Sequence, residues 1–223
     1  MKERPILFKA EMVRAILSGA KTQTRRVVKH IPMLGYPEEW CGLATSSGGI
    51  QHIIGDYRTF CKHGKIGDRI WVRETFVIEN TYEYHGDHTN PTDERPMQIK
   101  DGYWLIPHYR ATEPEPNMVT YEQDEDDDTT RWRPSIFMPR WASRIMLEIT
   151  DVRIERLNDI SEADARAEGI VDAGDDNGWQ LSDTTHYSNT AVNSYASLWE
   201  SINGDGSWEA NPWVWAITFR RLN

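Results

Sequence analysis

A short amphipathic helix that stops at a glycine and runs straight into the chain's densest cluster of charge sets the first constraint on this fold. Between Glu11 and Ser18, the residues Met12, Val13, Ile16 and Leu17 share one face, and Gly19 stands where such a helix closes. Lys21-Thr22-Gln23-Thr24-Arg25-Arg26 follows, bringing an amine, two hydroxyls and two guanidinium groups into six residues. Groups of this kind repel one another and are costly to bury. Their crowding points to an anionic or strongly polar ligand. Ile6-Leu7-Phe8 ahead of the helix and Thr22 to Val28 behind it read as strands, so the helix is tied into a mixed α and β fold.

The same signals recur along the chain. Lys65-Ile66-Gly67-Asp68 makes a turn before Arg69 to Phe76, which alternates apolar and polar residues as a half-buried strand does. The core is expected to resume at Ile136 and to continue through a strand at Ile145 to Val152. Asp159 or Ser161 caps a helix over Glu162 to Glu168. Ser161 with Asp164 has capping-box spacing, and Gly169 closes that helix. Val192 to Ile202 is a further helix with Tyr195, Leu198, Trp199 and Ile202 on one face, and Trp213 to Phe219 is a closing strand of period two. The expected fold class is α+β, a small β-barrel with helices packed at its rim. It is expected to be one domain over residues 1–223, with insertions at about 30–65, 79–135 and 171–190.

Charge is unevenly placed. The formal net charge is -10, yet residues 75–135 hold fourteen acidic and five basic residues, while residues 1–30 hold eight basic and two acidic ones. Local potential steers a ligand more than global charge does. The basic N-terminal region therefore remains compatible with a nucleoside or nucleic-acid ligand. Glu122 to Asp128 reads as a solvated loop. The acidic insertion that holds it either mimics nucleic acid, covers the cleft as a lid or does neither, the lid being favoured because long loops in compact domains are often functional. No apolar run approaches the roughly 20 residues needed to span a bilayer. Met1 to Pro5 lacks the apolar stretch of a secretion signal, so a cytoplasmic location is expected. Cys41 and Cys61 are too few for a disulfide framework. Cys61-Lys62-His63 with His52 lacks fixed ligand spacing, so neither a metal nor a cofactor is implied.

Gly19-x-Lys21-x-x-x-x-Arg26 resembles the signature of the ASCH domain, a relative of the RNA-binding PUA fold. Gly67-Asp68 before an apolar strand and the aromatic closing strand stand in that family's order. Met138-Pro139-Arg140-Trp141-Ala142-Ser143-Arg144 and Asn211-Pro212-Trp213 resemble the longer ASCH proteins of bacteriophages and prophages, which would place the chain in a bacterial host cytoplasm. The resemblance covers the first 30 residues, roughly 65–78, and 134 onward. One branch, the N4-acetylcytidine amidohydrolases, is similar at Gly-x-Lys-Thr-x-Thr and uses a lysine, a threonine and a distant glutamate. The matching positions are Lys21 and Thr24, and the helix after Ser161 places Glu168 third. The chain departs from that branch in its size and in having Arg25 directly before Arg26.

The resemblance implies an amide hydrolase with Thr24 as nucleophile, Lys21 as its base and Glu168 assisting. Gly19, Thr22, Arg25 and Arg26 would complete the ligand-binding surface. Lysine can act as a base only when burial or nearby positive charge lowers its pKa, and a carboxylate beside it acts the other way. Glu74 either ends its strand in water or enters the barrel mouth as a second candidate acid near Lys21. Arg140 and Arg144 flank Trp141, and the three either hold phosphate and a stacked base or join the core and the acidic loop. The alternative function is a non-catalytic binder of RNA or modified nucleotides, or a ribonuclease, in the same basic cleft. The partner is a modified nucleoside or RNA in either reading, with no membrane and no obligatory protein partner evident.

Overall fold

The computed structural model describes residues 1–28, 61–81, 98–100, 103–116, 131–174, 178–181 and 187–222. Along them run β1 (Glu3–Leu7), α1 (Ala10–Leu17), β2 (Gln23–Val27), β3 (Arg69–Arg73), β4 (Phe76–Thr81), β5 (Gln98–Lys100) and β6 (Tyr103–Tyr109). Two short 3-10 turns lead into β7 (Met146–Arg156), α2 (Glu162–Ala167), β8 (Ile170–Asp172), β9 (Trp179–Leu181), α3 (Ala191–Asn203) and β10 (Trp213–Leu222). The fold is α+β, mostly sheet with few helices.

The main sheet has the order β1-β3-β7-β10-β2, with β1 parallel to β3 and the remaining pairs antiparallel. β1 and β2 are therefore its two edges, although only α1 separates them in sequence. No ladder joins them among the described residues. A side chain spans the gap instead: Arg26 Nη2 donates to the Leu7 carbonyl at 2.7 Å. β10 lies between β7 and β2, and Val214, Trp215, Ala216 and Ile217 are all buried, so both faces of that strand are covered. Its apolar run is longer than the period-two expectation required.

α1 forms where the apolar spacing places it. Met12, Val13 and Ile16 are buried and Leu17 is packed at the margin of the core. Gly19 then turns the chain at φ +81°, a conformation in which a Cβ is strained. One apolar cluster gathers α1, the main sheet and the Tyr195, Leu198 and Trp199 face of α3.

A second, smaller sheet of order β4-β6-β5 covers its own cluster of Phe76, Tyr109, Met138 and Ala142. Two of its strands, β5 and β6, fall within the segment expected as an insertion over about 79–135. The acidic run Glu122–Asp128, and with it the lid expectation, lies outside the described residues, as do most of 30–65 and parts of 171–190. The core does not resume at Ile136. Ile136 and Phe137 are 58% and 69% exposed, and burial returns only at Met138. A 3-10 turn over Ser135–Phe137 points those two side chains outward. Among the described residues no helix is long and apolar enough to cross a membrane.

Candidate active site

The motif after α1 is fastened to the end of α2. Ser161 caps α2 as its spacing predicts, its Oγ accepting from the Asp164 N–H at 3.1 Å. α2 ends at Ala167, Glu168 follows, and Gly169 turns away at φ +101°. A Cβ on Gly169 would stand 3.1 Å from Ala15 Cβ and 3.2 Å from Lys21 Cβ. Glycine at this point lets α1, Lys21 and Glu168 approach closely. Lys21 and Glu168 form an isolated antiparallel bridge. The Thr22 N–H donates to Ala167 O at 2.8 Å, and the Phe219 N–H donates to Thr22 O at 2.8 Å. The motif is thereby strapped between α2 and β10, with β2 continuing from it.

Glu168 is the hub of a buried charge cluster. Its carboxylate accepts from Lys21 Nζ at 2.5 Å, from Arg25 Nη1 at 3.2 Å and from the Tyr195 hydroxyl at 3.3 Å. Lys21 Nζ also donates to the Glu168 carbonyl at 2.8 Å. Arg25 reaches further, to Gln23 Oε1 at 2.6 Å and Glu155 Oε1 at 2.5 Å. Lys21, Thr24, Arg25 and Glu168 are each at most 3% exposed.

Burial holds the Lys21 ammonium below its ordinary pKa, with Arg26 and Arg25 acting the same way and Glu168 opposing them. Desolvation is the largest of these influences, which answers the question the sequence left open. The Tyr195 hydroxyl is pushed well above its ordinary value, first by burial and then by the Glu168 charge. Tyr195 therefore remains a neutral donor to Glu168 at ordinary pH.

A cavity of about 300 Å³ opens beside this cluster, lined from both edge strands by Ile6, Leu7, Thr24 and Arg26. α3 supplies Tyr195, Leu198, Trp199 and Ile202, the turn after residue 60 supplies Lys62 and His63, and Glu168 and Arg25 complete the polar side. The cavity lies where a closed barrel would have joined β1 to β2. Thr24 has no hydrogen-bond partner for its hydroxyl among the described residues, whereas Glu168 is bonded by both Lys21 and Arg25. Lys21 is bonded to Glu168 and is not itself among the residues that line the cavity. The arrangement is an unengaged hydroxyl beside a buried lysine–carboxylate pair, with apolar and aromatic surface opposite.

The other expected residues are divided between this site and the rest of the fold. Gly19 serves as the turn before the motif, and Thr22 is exposed. Arg26 lines the cavity. Glu74 does not approach Lys21. It is buried beside the second cluster and takes two hydrogen bonds of 3.0 Å from Arg144, whose guanidinium lies 4.0 Å from the centre of the Tyr109 ring. The two-position period of β3 gives the face of Glu74 but not the sheet it meets. Arg140 pairs with Glu3 at 3.0 Å, and Trp141 packs on the second cluster, so neither arginine flanking Trp141 reaches the cavity.

Tyr195 and Trp199, expected on one face of α3, belong to the main apolar cluster and also line the cavity. Lys62 and His63, weighed in the sequence only as part of a metal set, line it as well. The helical face of α3 was a usable signal, because a face with a tyrosine and a tryptophan can line a cavity as well as fill a core. Nothing local marked Lys62 or His63 as lining residues of a cavity between β1 and β2.

His63 gives a prediction of its own. Burial pushes its imidazole down from 6.5 to about 3, helped by Arg26, Lys62 and Arg4. Its Nε2 is buried without a partner among the described residues. The unfolded chain thus takes a proton that the folded chain refuses. Stability is expected to fall as the pH drops below 6.5 and to stop falling from this cause near 3. Urea denaturation at about pH 7 and about pH 5 should show a loss on the order of 1–2 kcal/mol that His63→Gln removes. An equal loss in the variant would assign the acid lability elsewhere.

No group of three or more His, Cys, Asp or Glu side chains gathers as a metal site among the described residues. Comparison with protein-family models, with curated proteins and with solved structures returns no match.

Proposed function

We propose that this protein is an amide hydrolase acting on an acylated cytidine-like nucleoside, with Thr24 as nucleophile. The observation that carries the reading is the cavity-lining Thr24, its hydroxyl unengaged, beside the buried Lys21–Glu168 pair. The sequence resemblance to ASCH proteins, in the branch of N4-acetylcytidine amidohydrolases, supports it independently of that geometry. The open seam between β1 and β2, occupied by the cavity, also suits a PUA-like barrel that leaves room for a base.

Burial holds the Lys21 ammonium below its ordinary pKa, and Glu168 orients the amine once that proton is lost to solvent. Neutral Lys21 then takes the Thr24 proton as Oγ attacks the acyl carbon. The carbon–oxygen bond forms while the carbonyl electrons move onto the oxyanion, near the Arg25 and Arg26 charges. Collapse breaks the amide bond, and the Lys21 ammonium so formed gives its proton to the departing N4 amine. Water, deprotonated by the neutral Lys21, then cleaves the acyl-Thr24 ester. Thr24 Oγ recovers the proton held by Lys21, the carboxylic acid departs, and the pair is restored. The Trp199 and Leu198 side of the cavity offers the flat apolar surface that a pyrimidine needs.

The test is incubation of the full chain with N4-acetylcytidine, following cytidine by chromatography. Release of cytidine that disappears in Thr24→Ala and in Lys21→Ala supports the reading. No release from any N4-acylated cytidine removes it and leaves the non-catalytic binder as the better description.

A further inference from the structure

We propose that Arg26 and Lys62 form an oxyanion subsite in the cavity, so that the ligand carries a phosphate monoester and is a nucleoside monophosphate rather than a free nucleoside. This rests on the proposed nucleoside reading for the base and sugar, but the anion subsite follows from separate observations.

The buried and half-buried cations around the site are matched by carboxylates. Lys21 has Glu168, Arg25 has Glu155 and Glu168, Arg4 has Asp68, and Arg153 has Glu155 and Asp164. Arg26 lines the cavity with no carboxylate in ion-pair distance among the described residues. Its guanidinium is held by the Leu7 carbonyl at 2.7 Å and lies 5.3 Å from the centre of the Phe8 ring, while its Nε is buried without an acceptor. A guanidinium in that position is short of an anion, and a ligand can supply it.

Lys62 is exposed on the same cavity and has no described partner. Arg26, Lys62 and His63 all line this one cavity. Among the described residues the only carboxylate in the lining is Glu168, already shared by Lys21, Arg25 and Tyr195. Arg26 and Lys62 are thus the two lining cations without a carboxylate partner among the described residues.

Size and charge choose the class of anion. A cavity of about 300 Å³ suits a mononucleotide. A protein of formal charge -10 repels a long polyanion while a local basic patch still attracts a small one.

Isothermal titration of the full chain with cytidine, cytidine 5′-monophosphate and a cytidine trinucleotide tests this without any turnover. The monophosphate should bind roughly tenfold more tightly than cytidine, as expected for charge-assisted contacts. That ratio should fall toward one in Arg26→Gln and in Lys62→Ala, the latter an exposed position where folding is not at stake. Failure of the monophosphate to bind, equal affinity for monophosphate and cytidine, or an unchanged ratio in Lys62→Ala overturns the subsite. Tighter binding of the trinucleotide overturns it in favour of a polymer.

The hydrolase reading fails separately. Turnover of N4-acetylcytidine with no phosphate preference removes only the subsite, and phosphate preference without turnover removes only the hydrolase.

Discussion

Thr24→Ala is expected to lower kcat/KM for N4-acetylcytidine by about a thousandfold or more, the scale on which loss of a nucleophile acts. The substitution removes the hydroxyl and leaves the backbone pairing of β2 with β10 in place, so the melting temperature should change little. Thr24→Ser keeps an oxygen at the same position and should retain measurable turnover. A purely structural threonine would show the reverse pattern, with stability lost and rate kept.

The pH profile adds an independent reading. The active form needs Lys21 without its proton, and burial holds its pKa below the ordinary 10.5. The limiting rate should therefore rise with pH and level off at an inflection below 10.5. Wild-type hydrolysis by Thr24→Ala would end the assignment.

Glu168→Ala should have the largest effect on stability. It leaves Lys21 buried with only the residue-168 carbonyl at 2.8 Å, and it removes one of the Arg25 ion pairs. Breaking a buried pair by deleting one member typically costs about 3–5 kcal/mol, because the remaining charge has lost both water and partner. Urea denaturation should show the midpoint falling accordingly.

Adding Lys21→Met to Glu168→Gln should regain most of that loss, since an uncharged pair of similar volume has no stranded charge. The double variant also keeps the experiment readable if Glu168→Ala does not fold. An Ala variant with the wild-type midpoint would mean that water reaches the cluster and screens it.

The elements that the sequence predicted best are those whose signals are local. The apolar face of α1, the turn at Gly19, the Ser161–Asp164 cap and the turn at Gly169 all depend on residues a few positions apart. The site was legible only in part. Lys21, Thr24 and Glu168 were nominated by resemblance, yet the direct bond between Lys21 and Glu168 joins residues 147 positions apart. Glu74 shows the limit from the other side. Its alternation allowed a place near Lys21, but Arg144, just ahead of β7, forms a bidentate pair with it beside Tyr109 of the second sheet.

What the sequence by itself determined is thus the α+β class, the three helices, the five strands of the main sheet and the crowding of cationic and hydroxyl groups after α1. Each follows from periodicity, capping or composition over a short window, where chain geometry leaves few choices. Only the tertiary structure decided that β1 and β2 become opposite edges of one sheet, that a cavity occupies the seam between them, and that Trp199 and His63 line it. Those outcomes depend on which strands pair and which loops close between distant residues. The burial they create, more than the neighbouring arginine charges, lowers the Lys21 pKa.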